Sequence, residues 1–377
     1  MNHKTEVDLI TELQQLKANQ SEFLDAVVTQ QSVSQYFDDD VFKTEKAAIF
    51  LKWPNALAHA SELPEPGSFI TRTLAGRSIL VTRDDDNQVH AFLNVCRHRG
   101  TQLEAKSSGC ARRFTCPYHA WSYSSQGELL AAPQFDSGFL GKDRQEFNLT
   151  PVPVCERFGL LWVIPATTAE PNFETILDPL AVDLAALEMD TMQIAAQYTS
   201  MRTANWKILV EGGLEAYHFK VAHRDTIGPY FARNLSSYQM LGPHVRSILP
   251  KTTLFDLEPN EQASWRLRDH ANVLYTLFPT TQLLVQKDHV VWISQNPVSA
   301  SETQLTLSTL VPASRAHEET YWARNHEITT NTLIEDFDIA ESIQAGVTSG
   351  ANTEFTFARF EGALAAFHSA LDIELAR

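Results

Sequence analysis

NVCRHRG (residues 94–100) and TCPYHAW (residues 115–121) are the two segments that decide the fold of this chain. Each holds one cysteine and one histidine, and seventeen residues separate the first pair from the second. Around them, short runs rich in β-branched and aromatic residues alternate with the turn signals Pro-Glu-Pro-Gly and Asp-Asp-Asp-Asn. This pattern predicts a small antiparallel β domain in which two loops present the Cys-His pairs.

The two pairs form one set of candidate metal ligands, called the Cys-His set below: Cys96, His98, Cys116 and His119. Two thiolates and two imidazoles can hold one tetrahedral zinc ion. They can equally hold a [2Fe–2S] cluster in which the cysteines bind one iron and the histidines bind the other. The spacing alone allows both. The remaining cysteines, Cys110 and Cys155, fit neither ligand position, so we interpret them as thiols that bind no metal.

A second group of candidate ligands lies in NWKILVEGGLEAYHFKVAH, residues 205–223, where we predict a helix over 204–223. Glu215 and His218 share a face of such a helix because they are three positions apart. His218 and His223 are five positions apart, about 140° around an ideal helix. Both can therefore face one metal only if the helix ends or bulges between them. On spacing alone, two imidazoles that simply pack in the core or face solvent are an equal interpretation.

Both segments resemble those of the Rieske non-haem iron oxygenases. The run C-x-H followed by C-P-Y-H-A-W is similar to the family's cluster signature, with Ala120 where the family most often has glycine. Asn-Trp-Lys, a later acid, Tyr-His and a further His are similar to the family's iron-binding segment. The resemblance implies that the Cys-His set binds a Rieske [2Fe–2S] cluster, and that His218 and His223 bind a mononuclear Fe(II).

The third iron ligand in this family is a carboxylate far downstream, since two histidines and one carboxylate leave open positions on the metal. The stretch IEDFDIAESIQ, residues 334–344, matches the family's E-D…E…Q pattern and assigns this role to Asp336. Asp338 is the reserve candidate. We interpret Glu335 as a solvated helix residue.

The resemblance also implies how electrons reach the iron. In the family the subunits assemble head to tail, usually as a homotrimer, so that the cluster of one chain neighbours the iron of the next. Matching by residue assigns the bridging acid to Glu215, between His119 of one subunit and His218 of another. Most of the family uses Asp there, and Glu is similar to the members that act on carnitine and glycine betaine. Asn205 is similar to a family residue near the iron and is a second candidate catalytic residue.

The fold expected from these features is α+β. The resemblance implies a small antiparallel β Rieske domain and a helix-grip, START-like catalytic domain with an antiparallel sheet and long C-terminal helices. We predict an N-terminal helical extension at 1–45, the Rieske domain at 46–165 and the catalytic domain at 166–377. A linker is expected at 166–171, where Pro and small polar residues follow the last β run.

Composition excludes some partners. The chain of 377 residues carries 30 Lys+Arg against 46 Asp+Glu, a net charge of −16. Such a surface argues against nucleic acid and favours a basic partner surface. No apolar run reaches the length of a membrane span, and the charged N-terminus lacks a signal-peptide pattern, so we expect a cytoplasmic protein. Four cysteines in this length argue against a disulfide framework.

The function implied is that of a terminal oxygenase. A separate reductase, with or without a ferredoxin, would pass electrons from NAD(P)H through the cluster to Fe(II), and O2 would hydroxylate or demethylate a small organic substrate. A Rieske electron carrier without catalysis is the alternative from another class, although such a carrier needs about a third of this length. A non-catalytic relative is a third interpretation, which the intact ligands disfavour.

The sequence leaves the substrate open between a quaternary amine and an aromatic compound. His244 and Arg246 are candidates for recognising a carboxylate, with an ordinary loop as the equal alternative. Phe231, Phe278 and Trp292 are candidates for an apolar or cation-binding wall, although aromatic residues in strand-rich domains more often belong to the core.

Overall fold

The computed structural model describes residues 1–167 and 172–376. The chain forms two compact units, one of Phe50–Glu174 and one that joins Met1–Ile49 to Thr175–Arg377. The segment predicted as an N-terminal extension therefore lies in the same unit as the predicted catalytic domain. Most of the predicted linker, residues 168–171, lies outside the described residues.

The strands are β1 Thr29–Ser32, β2 Asn55–His59, β3 Ser68–Leu74, β4 Arg77–Arg83, β5 Val89–Leu93, β6 Ser108–Cys110, β7 Arg113–Thr115, β8 Ser122–Ser124, β9 Leu129–Ala131, β10 Val154–Arg157, β11 Leu160–Val163, β12 Met192–Arg202, β13 Ser237–Leu241, β14 His244–Pro250, β15 Ala271–Leu277, β16 Thr281–Val285, β17 Val290–Ser299, β18 Glu302–Pro312 and β19 Glu354–Phe357. The α-helices are α1 His3–Ala18, α2 Asp39–Glu45, α3 Phe135–Gly138, α4 Phe173–Leu177, α5 Ala181–Ala185, α6 Trp206–Glu211, α7 Phe219–Ala222, α8 Leu267–His270, α9 Glu319–Val347 and α10 Gly362–Leu375.

The smaller unit consists of three short antiparallel sheets, with strand orders β5-β4-β3-β6, β7-β8-β9 and β10-β11-β2. The acidic run after β4 forms the predicted turn: Asp84 Oδ1 accepts hydrogen bonds from the backbone N–H of Asp86 and Gln88, and Asn87 has φ +63°. One apolar cluster of this unit packs around Cys96 and Cys116. The predicted antiparallel β domain is confirmed.

The larger unit is built on a seven-stranded antiparallel sheet with the order β12-β18-β17-β16-β15-β14-β13. The long helix α9, 29 residues, packs on β12 and β18, and its core face meets α6 through Phe337 and Ala340. The last helix, α10, packs near β13 and β14. This arrangement of a long helix on a curved antiparallel sheet agrees with the predicted α+β catalytic domain.

The first 49 residues are held in the larger unit by a small two-stranded sheet and by a buried ion pair. Strand β1 pairs antiparallel with β19. Lys207 Nζ, at the start of α6, lies 2.5 Å from Glu45 Oε1, and both side chains are at most 1% exposed. Burial lowers the pKa of Lys207, and the charge of Glu45 opposes that shift. Because each charge is buried only with its partner, this pair fixes the N-terminal segment onto α6.

The predicted helix over 204–223 is wrong in one respect: it is interrupted. Helix α6 ends at Glu211, the chain passes through Gly212 and Gly213, and helix α7 begins at Phe219. A Cβ on Gly213 would lie 2.9 Å from the side chains of Gln282 and Leu274, so the sheet beneath leaves no room for a larger residue. The interruption places His218 and His223 at the two ends of the single turn α7.

Candidate metal centres

The Cys-His set lies on two loops of the smaller unit, the first after β5 and the second after β7. Cys96 and Cys116 are buried, 2% and 3% exposed, whereas His98 and His119 are partly exposed. The two histidines turn the same ring atom toward each other, with 3.1 Å between His98 Nδ1 and His119 Nδ1. The structure therefore brings together all four residues that the sequence predicted, with sulfur inside and imidazole at the surface.

This arrangement fits an iron–sulfur cluster better than a single zinc ion. Within residues 1–167 and 172–376, one group of three or more His, Cys or acidic side chains has all its donor atoms within 4.8 Å of one another. That group is not the Cys-His set, whose four donor atoms are therefore spread more widely. The donors of one tetrahedral zinc would lie closer than that, at about 3–4 Å. The wider spread suits two irons, with the cysteines on the inner one and the histidine Nδ1 atoms on the outer one.

The surroundings of this set hold its loops in place. Trp121 stacks on His98 with ring centroids 4.8 Å apart and an interplanar angle of 10°. Tyr123 Oη lies 3.4 Å from Cys96 Sγ and accepts a hydrogen bond from the backbone N–H of Arg97 at 3.1 Å. Ala120 has φ +57°, in the left-handed region, which explains physically why glycine suits this position. Such contacts orient the ligands and adjust the properties of a bound metal.

The second candidate centre lies in the larger unit and consists of His218, His223 and Asp336, called the metal triad below. Asp336 Oδ1 lies 3.3 Å from His218 Nε2 and 2.8 Å from His223 Nε2. Ligands about 2.1 Å from one metal, at right angles, are about 3 Å apart, so these distances suit neighbouring positions on one ion. Both Nε2 atoms are buried and face the Asp336 carboxylate, and within the described residues neither makes a hydrogen bond of good geometry, as expected of atoms placed to bind a metal.

Two further carboxylates orient the histidine rings. Glu215 accepts a short hydrogen bond from His218 Nδ1, and Glu335 Oε2 accepts one from His223 Nδ1 at 2.6 Å. These bonds place the proton of each ring on Nδ1 and leave Nε2 free to bind a metal. The interpretation of Glu335 as a solvated residue is therefore wrong. The sequence signal that could have predicted this role is the position of Glu335 directly before the candidate ligand Asp336.

The charges of the triad act on one another. Burial opposes protonation of His218, but the carboxylates of Asp336 and Glu215 outweigh it and raise the pKa of His218 to about 10. Burial disfavours the Asp336 carboxylate, yet the two histidines hold its pKa below the usual value. Without a cation, the site thus retains protons on its imidazoles, so a divalent metal would displace them on binding.

Two other predicted residues lie away from the triad. Asp338 is exposed and forms an ion pair with Arg202, at 3.3 Å. Asn205 is buried and caps α6: its Oδ1 accepts from the N–H of Lys207 at 3.0 Å, and its Nδ2 donates to the carbonyl of Ala300 at 2.7 Å. These contacts give Asn205 a structural role, and its contribution near the iron stays a prediction.

A cavity of about 400 Å³ lies beside the triad, and His223 and Asp336 form part of its wall. Most of the remaining wall is apolar, with side chains such as Leu209, Phe219 and Phe231. A second cavity, of about 340 Å³, is lined by Glu215, His218 and Asp336 among others. The triad therefore separates an apolar chamber on one side from a space in front of Glu215 on the other.

The residues predicted to recognise a carboxylate do not line either of these cavities. Arg246 Nη1 lies 2.5 Å from Asp183 Oδ2, and both side chains are buried. His244 Nε2 donates to the carbonyl of Ile176 at 2.8 Å. Of the predicted aromatic wall, Phe231 lines the larger cavity, whereas the buried Phe278 and Trp292 are not among its lining residues. Recognition by His244 and Arg246 is therefore wrong.

Comparison with known proteins identifies both units. Residues 53–153 match the family model described as the Rieske [2Fe-2S] domain, and residues 189–376 match the model of the ring hydroxylating alpha subunit, catalytic domain. The chain belongs to the Rieske non-haem iron oxygenases, as a terminal oxygenase component. Its cofactors are accordingly a Rieske [2Fe–2S] cluster and a mononuclear iron, with O2 as co-substrate, and a reductase supplies its electrons.

Several individual proteins of this class are similar to the chain. The chain is 27% identical over 354 residues to the glycine betaine monooxygenase oxygenase subunit of Pseudomonas aeruginosa, covering 84% of this chain and 82% of that protein. It is 35% identical over 191 residues to the carnitine monooxygenase oxygenase subunit of Acinetobacter pittii, covering 50% and 51%. The crystal structure of the quaternary ammonium Rieske monooxygenase CntA has a TM-score of 0.77 at 24% identity, covering 93% and 96%. This last likeness confirms the predicted fold.

Proposed function

We propose that the Cys-His set binds the Rieske cluster, that the metal triad binds the ferrous ion, and that the cavity beside the triad holds the substrate. The observation that carries this proposal is the convergence of two Nε2 atoms and one carboxylate oxygen on a common point at the wall of an apolar cavity. A face with two histidines and one carboxylate leaves ligand positions open for dioxygen. The bound iron supplies reductive activation of O2, with electrons relayed by the cluster.

The protein contributes orientation and shelter. Glu215 and Glu335 hold the Nδ1 protons of the two imidazoles, so that both rings keep one tautomer and one direction through the reaction. The apolar wall at Leu209, Phe219 and Phe231 excludes water from the substrate. Such a chamber would hold one C–H bond of the substrate near the metal and away from water.

For the substrate we propose a small quaternary amine, which the enzyme would hydroxylate or demethylate. The names of the relatives support this class, because glycine betaine and carnitine are both quaternary amines. Glu215 at the bridging position, rather than Asp, supports it as well. Ring hydroxylation of an aromatic compound is the second candidate, favoured by the largely apolar cavity wall and by the family's catalytic-domain match.

For the assembly we propose a head-to-tail homotrimer in which Glu215 joins the two metal centres of neighbouring subunits. Glu215 already accepts a hydrogen bond from His218 Nδ1, and it lines the smaller cavity, where a ring from another chain has room to approach. His119 is partly exposed, as a ring that reaches across an interface must be. Electrons would enter from NAD(P)H through a reductase, with or without a ferredoxin, and a cytoplasmic location stays a prediction.

The test combines metal content with turnover. The anaerobically purified protein should show a Rieske-type EPR signal on reduction and about one iron per chain beyond the two of the cluster. With a surrogate reductase and NADPH, glycine betaine or carnitine should drive oxygen uptake coupled to a product seen by mass spectrometry. A colourless protein that holds one zinc ion would refute the cluster.

Glu215→Gln tests the bridge separately. This variant should keep both metals but lose product formation, because the Gln amide has one acceptor oxygen and a donor NH2, so its two ends cannot both accept hydrogen bonds from imidazole rings as a carboxylate does. Glu327→Gln, on the exposed face of α9, is the matched control and should turn over normally. Normal turnover in Glu215→Gln would remove the bridging assignment.

A further inference from the structure

One end of the larger cavity is polar, and the mechanism above makes no use of it. Four residues form this polar end: Lys251, Asn272, Gln286 and His289. Lys251 follows β14, Asn272 lies at the start of β15, Gln286 follows β16, and His289 precedes β17. Because these strands are consecutive antiparallel neighbours, the four positions lie together where the strands begin or end, on one side of the sheet's length.

The polar end carries a positive charge without a partner. Lys251 is the only lysine or arginine among the described residues that line the cavity. Within the described part of the chain, no carboxylate lies within the 4.0 Å of its Nζ that defines an ion pair. Burial lowers the pKa of Lys251, and the more distant charge of Asp269 partly restores it. An ammonium group that is partly desolvated and unpaired gains most from an anion.

Two more polar atoms at this end are buried without partners. Asn272 is 7% exposed and His289 is 4% exposed, and neither Asn272 Oδ1 nor His289 Nε2 makes a hydrogen bond within the described residues. His289 Nδ1 donates to Asp288 Oδ1 at 3.0 Å, so its Nε2 is an acceptor. Buried acceptors of this kind are normally satisfied by a ligand or by ordered water.

The rest of the cavity suits a less polar body. Gln282 and Gln286 both line the cavity along β16, and four positions of a strand span about 13 Å. Two positions along the strands from Asn272 and Gln286, the opposed residues Leu274 and Leu284 line the cavity, and Leu333 lines it as well. A molecule several bonds long can thus place one end at Lys251 and expose its other end to the triad.

We propose that the polar end binds an anionic end group of the substrate, a carboxylate or a sulfonate, against Lys251. The two acceptors beside it, Asn272 Oδ1 and His289 Nε2, receive hydrogen bonds from a hydroxyl or amino group of the same substrate, or from a water that accompanies it. The substrate is therefore an organic anion or zwitterion whose oxidised carbon lies away from its charged oxygen atoms. This inference rests on the proposed function, since it assigns one part of the same substrate cavity.

The test compares probes that differ only in the anion. Glycine betaine against choline tests a carboxylate, and benzenesulfonate against the neutral benzenesulfonamide tests a sulfonate. Affinities are measured by isothermal titration calorimetry on the metal-loaded protein, in the wild type, Lys251→Met, Lys251→Arg and Lys287→Met. Lys287 is an exposed lysine close enough to act on the charge of Lys251, but it does not line the cavity, so it is the matched control.

The wild type should bind at least one probe that carries the anionic group about tenfold more tightly than the matched probe that lacks it, the factor expected for a hydrogen bond between charged groups. Lys251→Met should lose this preference, Lys251→Arg should restore most of it, and Lys287→Met should keep it. The pair that shows the preference tells carboxylate from sulfonate. The proposal is overturned if the wild type prefers neither anion, or if Lys251→Met retains the preference.

Oxygen uptake with the surrogate reductase separates this inference from the function on which it rests. An anion preference that depends on Lys251, without substrate-driven uptake, would leave the subsite standing and refute the proposed function. Substrate-driven oxygen uptake without any anion preference would support the proposed function and refute the anion subsite.

Discussion

Replacing Glu335 by alanine should weaken Fe(II) binding about 10- to 100-fold. In the structure Glu335 Oε2 accepts hydrogen bonds from His223 Nδ1 at 2.6 Å and from Thr226 Oγ1 at 2.8 Å. The side chain of His223 is 1% exposed, so water cannot easily replace the lost acceptor. A buried donor left without a partner costs about 1–3 kcal/mol. That range corresponds to the 10- to 100-fold loss of affinity found when an orienting partner of a metal ligand is removed.

The assay is an anaerobic titration of Fe(II) against a competing chelator. The absorption spectrum of the Rieske cluster in the smaller unit reports that the rest of the protein is intact. Glu335→Gln keeps an acceptor oxygen and should lose less affinity than Glu335→Ala. Glu327→Ala, on the same helix and exposed, is the control and should bind as the wild type does. If Glu335→Ala and Glu327→Ala bind Fe(II) equally well, the orienting role of Glu335 is wrong.

Two further predictions concern stability. Burial lowers the pKa of His244 to about 4, although the hydrogen bond from Nε2 to the carbonyl of Ile176 opposes this shift. In addition, Nδ1 accepts from the N–H of Phe278, which only the neutral ring can do. The folded pKa lies below the unfolded one, so stability is full above about pH 6.5 and falls by about 2–3 kcal/mol toward pH 4. Urea unfolding of the larger unit at different pH values should show this loss of stability. In His244→Gln the free energy of unfolding should depend less on pH. An equally steep loss in that variant would contradict the reasoning. Ala120→Gly should stabilise the smaller unit by about 0.5–1 kcal/mol, because it relieves a left-handed backbone at an exposed position. Thermal loss of the cluster absorption measures this change, and an unchanged or lower midpoint would contradict it.

The sequence was sufficient where the chemistry depends on residue type and short spacing. A cluster needs particular donor atoms on two loops, and both loops carry them within a few residues, so all four members of the Cys-His set were predicted. The strands around these loops were predicted from short runs of β-branched and aromatic residues between turn signals. In the larger sheet, β14 and β15 are buried at every position, so no alternation of buried and exposed residues marks them. The requirement that the helix ends or bulges between His218 and His223 also followed from geometry alone.

Contacts between segments that are distant in the chain could not be predicted from the sequence in the same way. Glu335 and Asp336 are adjacent, and 112 positions separate Glu335 from the histidine that it orients. Neighbouring positions on a helix point about 100° apart, so which carboxylate binds the metal and which holds a ring depends on how α9 packs on the sheet. The position of the helix interruption likewise depends on Gln282 and Leu274, which lie beneath Gly213.

The charged residue of the cavity shows most clearly what the sequence could predict and what depended on the tertiary structure. The sequence offered Arg246 as a candidate for recognising a carboxylate, with an ordinary loop as the equal alternative, whereas the cavity contains Lys251. The two positions are five apart along β14 and its extension, and side chains alternate between the faces of a strand. Arg246 therefore points away from the cavity, toward Asp183, and Lys251 points into it. The sequence by itself determined which donor atoms each candidate metal set offers, because those depend on residue type and local spacing, and its resemblance to the family implied the cofactors. Only the tertiary structure decided which side chains share the substrate cavity, because that depends on which face of each strand the helices cover.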